Sequence, residues 1–306
     1  MAEMTFEILT LEGEKIRVNS PLSYEWSRDA DAACDGIRLS FLTEKPLGEA
    51  VEITAYLNGE KVFFGFADYQ SEENSRAFVY ARSSACILVD NEAPQAAFNA
   101  PSAASLYGFY AKPFGFKSRL KRLFTEYEYT VSKGESCYGA INAFVSALCS
   151  KNVAVSPENE LYVPDGKTAF YVDPQRIIGI KKAVSRSGAV SRIDYKTDGE
   201  YNRHRLSKTL EEKGIIRTRR LNTSNVSAFQ RSGVLGRIIR NSARDYYTAT
   251  LVLDGAEAPQ LYSPVIFEGL EGYRVTAFCV TLGKNGEKTA ITLAKPLDLK
   301  EKDYAA

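Results

Sequence analysis

The chain has 306 residues, of which 44% are hydrophobic and 25% are charged. These proportions are those of an ordinary globular protein, and the length suffices for two or three domains of about 100–150 residues each. No apolar run of about 18 residues occurs, so we expect no membrane span. The N-terminus lacks the basic and apolar regions of a signal peptide.

Residue types that support catalysis or cofactor binding are scarce. The single histidine, His204, lies between two arginines in a segment that we interpret as a solvated basic edge, which disfavours a zinc site and a Ser-His-Asp triad. Glycine-rich phosphate-loop patterns are missing, so we expect no cofactor, no metal and no enzyme activity. The cysteines are odd in number and widely spaced, which predicts that all five carry free thiols: Cys34, Cys86, Cys137, Cys149 and Cys279.

The first 92 residues have the pattern of short strands joined by turns. Two β-rich runs flank Asn58-Gly59, a strong hairpin signal because a type I′ turn needs positive φ at both central residues. About six such strands predict a small antiparallel barrel over residues 1–92.

Residues 93–175 predict a compact α+β domain. Ser102 is the expected N-cap of a short helix, and Ser132 or Ser136 is the expected cap of the clearest helix, in "ESCYGAINAFVSALCSKN". A hairpin is predicted with its turn at residues 157–159.

Strands resume in residues 176–306, which we predict to form a second barrel. The expected elements are strand pairs around Ser187-Gly188 and Lys213-Gly214, a helix in "SGVLGRIIRNSAR", a strand at 248–253 and a hairpin at Asn285-Gly286. The closing hairpin echoes that of the first barrel, which indicates a duplication. The predicted fold is therefore mainly β, with two tube-like antiparallel barrels separated by a small α+β domain.

Charge is distributed unevenly over these three segments. Lys and Arg number 8 against 17 Asp and Glu in residues 1–92, 8 against 7 in residues 93–175, and 23 against 14 in residues 176–306. The net charges are therefore −9, +1 and +9. The basic segment is compatible with an OB-like module that binds single-stranded nucleic acid, or with contact to the acidic barrel of a neighbouring subunit. A cell-wall hydrolase is a third, weaker hypothesis.

Several stretches resemble the baseplate hub proteins of contractile phage tails, the late-control-protein-D-like group found also in defective prophages and phage-tail-like bacteriocins. The similar stretches are "VEITAYLNGEKVFFGFADY", "VYARSSACILVDNEAPQAAFNAPSA" with the following "KPFGF", and "YRVTAFCVTLGKNGEKTAITLAKP". They occur in the same order as in the family and extend over nearly the whole chain.

The resemblance implies a structural protein that forms homotrimers, in which six barrels make a ring that joins a sixfold tail tube to a threefold central spike. It implies assembly in the bacterial cytoplasm, then residence in the baseplate of a virion or tail-like particle. The implied partners are tube or tube-initiator protein and spike, with the tape-measure C-terminus and baseplate wedge proteins as further candidates. No membrane and no sequence-specific nucleic acid are expected. Some relatives carry a fused wall-degrading domain, and we expect none in this chain.

Two groups of candidate site residues follow. Asp90, Asn91 and Glu92 are predicted to form the joint between the first barrel and the insert, with Asp90 and Asn91 bonding nearby backbone. The alternation of acidic and basic barrels in a ring predicts that the second group faces the acidic barrel of the next subunit, namely Arg217, Arg219 and Arg220.

Overall fold

A computed structural model describes residues 3–120, 122–197, 199–224 and 227–305. The first part of the chain contains β1 (Met4–Thr10), β2 (Lys15–Val18), β3 (Ser23–Asp29), β4 (Gly36–Leu42), β5 (Ala50–Leu57), β6 (Glu60–Glu73) and β7 (Arg76–Ser83). Buried residues alternate with more exposed ones along β1 and β7, as in a sheet with one buried face.

The middle part mixes helices with short strands. It contains α1 (Cys86–Asp90), β8 (Ala96–Phe98), α2 (Ala103–Tyr110), β9 (Lys117–Ser118), β10 (Tyr129–Val131), α3 (Cys137–Cys149), β11 (Ala154–Val155), β12 (Glu160–Tyr162) and β13 (Phe170–Tyr171), with 3-10 turns at Lys112–Phe114 and Pro174–Arg176. The predicted caps are confirmed, because Ser102 accepts from the Ser105 amide and Ser136 accepts from the Gly139 amide.

The last part is more elaborate than the predicted second barrel. It contains β14 (Ile177–Val184), β15 (Arg192–Lys196), β16 (Arg203–Ser207), α4 (Lys208–Glu212), β17 (Thr218–Asn222), α5 (Ala228–Arg244), β18 (Tyr247–Asp254), β19 (Val265–Ile266), β20 (Arg274–Gly283), β21 (Gly286–Ala294) and β22 (Glu301–Ala305).

One antiparallel sheet of eleven strands organises the molecule. Its strand order is β14, β18, β21, β20, β3, β4, β7, β6, β5, β1, β2. The first seven strands of the chain form one half and four late strands form the other, and both halves contribute to a single hydrophobic core. The mainly β fold with an α+β insert is thus confirmed, and the two halves are joined directly by β3 and β20. The domain boundaries at residues 92 and 175 remain predictions.

The two predicted hairpin turns differ in register. Asn58 and Gly59 both have positive φ, between the paired residues Leu57 and Glu60, as a type I′ turn requires. In the later hairpin Gly283 pairs with Gly286, so the turn residues are 284 and 285, and the glycine with positive φ follows the turn.

The strand pairs expected around Ser187-Gly188 and Lys213-Gly214 are wrong. β14 pairs with β18 in the large sheet, whereas β15 lies between β16 and β17 in a separate sheet of order β17, β15, β16, β22. The physical reason is a third hydrophobic core, to which Val190, Ile193 and Leu235 contribute. Apolar side chains of β15 face this core and not the one beneath β14.

Gly65 provides a test of the sheet packing. It lies in β6 opposite Ser83 of β7, where a Cβ atom would be 2.0 Å from the carbonyl oxygen of Arg82. We predict that Gly65→Ala lowers the free energy of unfolding by about 3 kcal/mol, the upper range for overpacking, measured by urea denaturation. The control is Gly108→Ala on an open face of α2, which should raise stability by up to about 1 kcal/mol. If the two substitutions changed the free energy of unfolding equally, the close contact between β6 and β7 at Gly65 would be contradicted.

Candidate interface surfaces

The predicted joint is held by an arginine of the preceding strand. Arg82 in β7 donates to both carboxylate oxygens of Asp68, at 2.5 and 3.0 Å, and to both of Asp90, at 3.0 and 2.7 Å. This hydrogen bonding lowers the pKa of Asp90, which is the last residue of α1. The prediction that Asp90 bonds backbone is therefore wrong, because the guanidinium is a better partner for its carboxylate.

The next two residues of the joint do contact backbone. The Asn91 side chain donates to the carbonyl of Ile87 at 2.8 Å, and Glu92 accepts from the Gly134 amide at 2.9 Å. The hydrophobic core of the insert already includes Leu88, so the change of core falls before this joint. Sequence reasoning missed α1 because it is only five residues long.

The three arginines of the predicted subunit contact have different roles in the fold. Arg217 donates from Nη1 to the carbonyls of Ala189 at 2.9 Å and Arg186 at 3.2 Å, so its side chain holds the third core together. Arg219 and Arg220 are exposed on β17, which is an edge strand of the four-stranded sheet. All three arginines are exposed, but the side chain of Arg217 is held by these carbonyls, and contact of any of the three with a partner stays a prediction.

His204 does not lie on a solvated basic edge, which corrects that interpretation. It is half-buried on β16, and its ring stacks on that of Tyr304 with centroids 5.1 Å apart. The cause is the strand β22, which pairs with β16 and covers the ring. No local pattern indicates that the last residues return to this sheet.

Most of the net positive charge of residues 176–306 lies in the segment that surrounds the third core. Residues 185–246 contain 14 Lys and Arg against 6 Asp and Glu, a net charge of +8, out of +9 for residues 176–306. This segment forms β15 to β17 and α5, outside the eleven-stranded sheet. The basic surface is therefore an appendage to the second half of the sheet and is not spread over its strands.

The large sheet ends on two strands that have no outer neighbour among the described residues. One is β14, whose side chains are mostly exposed and include Ile178 (51% exposed), Ile180 (40%) and Val184 (62%). The other is β2, beside which Ile16, Phe41 and Leu42 line a groove of about 470 Å³. Exposed edge strands with apolar side chains are aggregation hazards unless another chain covers them. Sequence reasoning missed this edge, because the isoleucines of "RIIGIKK" predict a strand but not which strands lie beside it.

Other chemical features of the described residues are modest. All five cysteines carry free thiols, and burial raises the pKa of Cys34 to about 12. In the part of the chain that the structure describes, no group of three or more His, Cys, Asp and Glu could hold a metal ion. Within the same residues no helix is both long and apolar enough to cross a membrane.

Comparison with solved structures identifies the fold. The chain is similar to a tail protein from Neisseria meningitidis MC58, with a TM-score of 0.74, 15% identity and 96% of each chain covered. The fold is that of phage tail proteins. A 43 kDa tail protein of prophage MuSo2 from Shewanella oneidensis gives a TM-score of 0.72 at 14% identity, covering 97% of this chain and 98% of that one.

A further similar structure belongs to a secretion machine. It is an Escherichia coli component of the type VI secretion system, described as similar to the T4 bacteriophage tail proteins gp27 and gp5, with a TM-score of 0.56, 12% identity, and 91% of this chain and 74% of that one covered. No family model and no curated protein matches the chain. The similarity in structure thus shows a tail-protein fold.

Arg82 provides a pH-dependent test of the joint. Because the folded-state pKa of Asp90 is lowered, its contribution to stability is present above the unfolded pKa, about 4, and is lost as the pH falls through the lower folded value. We predict that Arg82→Gln returns the Asp90 pKa towards its ordinary value, measured by carboxyl NMR titration. Arg76→Gln, at the start of the same strand, should leave it low. An unchanged Asp90 titration in Arg82→Gln would contradict the contact.

Proposed function

We propose that the chain is a structural baseplate hub, three copies of which close into a ring of six sheet halves. The observation that supports this proposal is the eleven-stranded sheet. Among the described residues its two edge strands have no outer neighbour, and they differ, because β14 presents exposed isoleucines whereas β2 lies beside a groove. A surface that differs at its two ends favours head-to-tail contact between copies, and head-to-tail contacts close into rings when the rotation permits.

The two edges are complementary in kind. Eight-residue β14 presents exposed Ile178 and Ile180, and the groove beside β2 offers exposed Leu42 and half-buried Ile16. Pairing β14 of one copy with this region of the next would cover apolar surface on both and would remove both free edges. Three copies, each with two halves, would give the approximate sixfold symmetry that the family resemblance implies.

Such a ring suits an adaptor between components of different symmetry. We propose that one face contacts the sixfold tail tube and the other the threefold spike, with the tape-measure C-terminus and wedge proteins as further contacts. The similarity to phage tail proteins and to a type VI secretion component supports a place in a tail-like particle. The role proposed is structural and not catalytic.

The β14 edge provides the test of ring closure. We predict that the double variant Ile178→Glu and Ile180→Glu weakens self-association at least about 100-fold, roughly 3 kcal/mol, because charge replaces buried apolar area. The measurement is sedimentation velocity over a range of protein concentrations, with circular dichroism to verify folding.

The matched control is Phe109→Glu with Phe114→Glu on the insert. These side chains are 50% and 40% exposed, against 51% and 40% for the isoleucines, so both variants add the same charge at equal exposure. The control should assemble like the parent. If both variants assemble equally well, β14 does not form the contact between copies.

Electrostatics provides a second test, which concerns the surfaces through which neighbouring copies meet in the ring. Arg219 and Arg220 lie in the segment of net charge +8, and residues 1–92 carry −9, so alternation in a ring brings unlike charges together. We predict that Arg219→Glu with Arg220→Glu weakens association about 5- to 30-fold, roughly 1–2 kcal/mol, in dilute buffer and much less at 1 M salt.

Arg217 is left unchanged because it supports the third core. The control, Lys112→Glu with Lys117→Glu, makes the same change in net charge on exposed residues of the insert. Equal weakening in both variants would mean that total charge, and not the β17 surface, governs association.

A further inference from the structure

Four arginines converge on one cavity. The cavity has a volume of about 210 Å³ and is lined by the first half of the sheet, the insert, α5 and the second half. Arg237, Arg240 and Arg244 lie three and four residues apart on one face of α5, and Arg274 comes from β20. The only carboxylate among the lining residues is Asp31, so the lining carries a net charge of +3.

The arginines are not equally satisfied by the protein. Arg244 forms an ion pair with Asp31, and Arg274 donates to the carbonyls of Gly166 at 3.3 Å and Tyr262 at 2.9 Å. Arg237 and Arg240 make no hydrogen bond or ion pair within 4.0 Å to any described residue, and the acids that act on them electrostatically are Glu135 and Glu301.

This arrangement is unusual for a solvated face. Both unpaired arginines are half-buried, and much of the cavity wall is apolar, with Ala243, Ala294 and Leu297 among its residues. Like charges in such a setting are screened less than in water, and a guanidinium fork has the geometry to bind the oxygens of an anion. A bound anion would relieve the repulsion and supply the missing acceptors.

The rim of the cavity also contains a strained residue. Tyr262 has a φ of +63°, which is rare for a bulky side chain, and its carbonyl is held by Arg274. Strain of this kind persists where the surroundings over-determine the backbone, and it concentrates at binding sites. Arg274 therefore positions the rim, which leaves Arg237 and Arg240 to contact a ligand.

We propose that this cavity binds a small polyvalent oxyanion of the inorganic phosphate class. Its volume lies below the roughly 300–1,000 Å³ of sites for drug-sized ligands, which favours a small anion over a nucleotide. The anion would bridge α5 to the insert and to both halves of the sheet. This proposal does not depend on ring formation, so it can fail while the hub proposal stands.

The experiment measures phosphate binding by calorimetry, and thermal unfolding in phosphate against sodium chloride at equal ionic strength. In the parent the midpoint of unfolding should rise with the logarithm of phosphate concentration, as for any ligand that binds only the folded state. The variant Arg237→Gln with Arg240→Gln should bind phosphate at least tenfold more weakly and lose the rise. Arg231→Gln, on α5 but outside the cavity lining, should behave like the parent.

Three outcomes would overturn the proposal. They are no phosphate-specific rise in the parent, an equal rise in parent and double variant, and tighter binding of hexaglutamate than of phosphate through the same two arginines. The last would mean that the cavity accepts an acidic protein segment. Because Arg237 and Arg240 have no hydrogen-bond or ion-pair partner among the described residues, the double variant should fold, and circular dichroism verifies this.

Discussion

The pairing of β3 with β20 is the interaction on which the structure depends. Six residue pairs, from Ala277 with Asp29 to Leu282 with Tyr24, join strands about 250 residues apart in the chain and make two sheet halves into one. At this seam the only tryptophan, Trp26, packs edge-to-face on Phe278 at 4.9 Å. Without the seam each half would expose another edge, and the single core beneath both would divide.

Contacts with the insert and with α5 extend this arrangement beyond the sheet. The insert leaves the first half after β7, and α5 packs against α3 of the insert while its arginines face the sheet. Close approach of the two helices is possible because Gly233 lies against Ala147, where a Cβ atom would be 2.7 Å from the alanine side chain. Positive charge is thus concentrated beside the sheet, and among the described residues the outer edges of β14 and β2 remain uncovered.

Much of the fold could be predicted from local patterns. The Asn58-Gly59 turn, the serine caps and the apolar face of α5 follow from steric and hydrogen-bonding rules that act within a few residues. The third core could not be predicted, because β15 gives the same strand signal whichever sheet it joins, and β22 returns to β16 from about 95 residues away. The exposure of β14 and the two unpaired arginines also depend on such distant contacts. Sequence patterns therefore identified the elements and left their partners undetermined.

The most direct measurement of the central claim is an electron cryomicroscopy map of the assembled protein. The account predicts a ring of three copies with approximate sixfold symmetry, in which β14 of each copy lies against the β2 groove of the next. A ring whose copies meet through other surfaces, with β14 exposed to solvent, would contradict it, as would a protein that stays monomeric at the concentrations used for imaging.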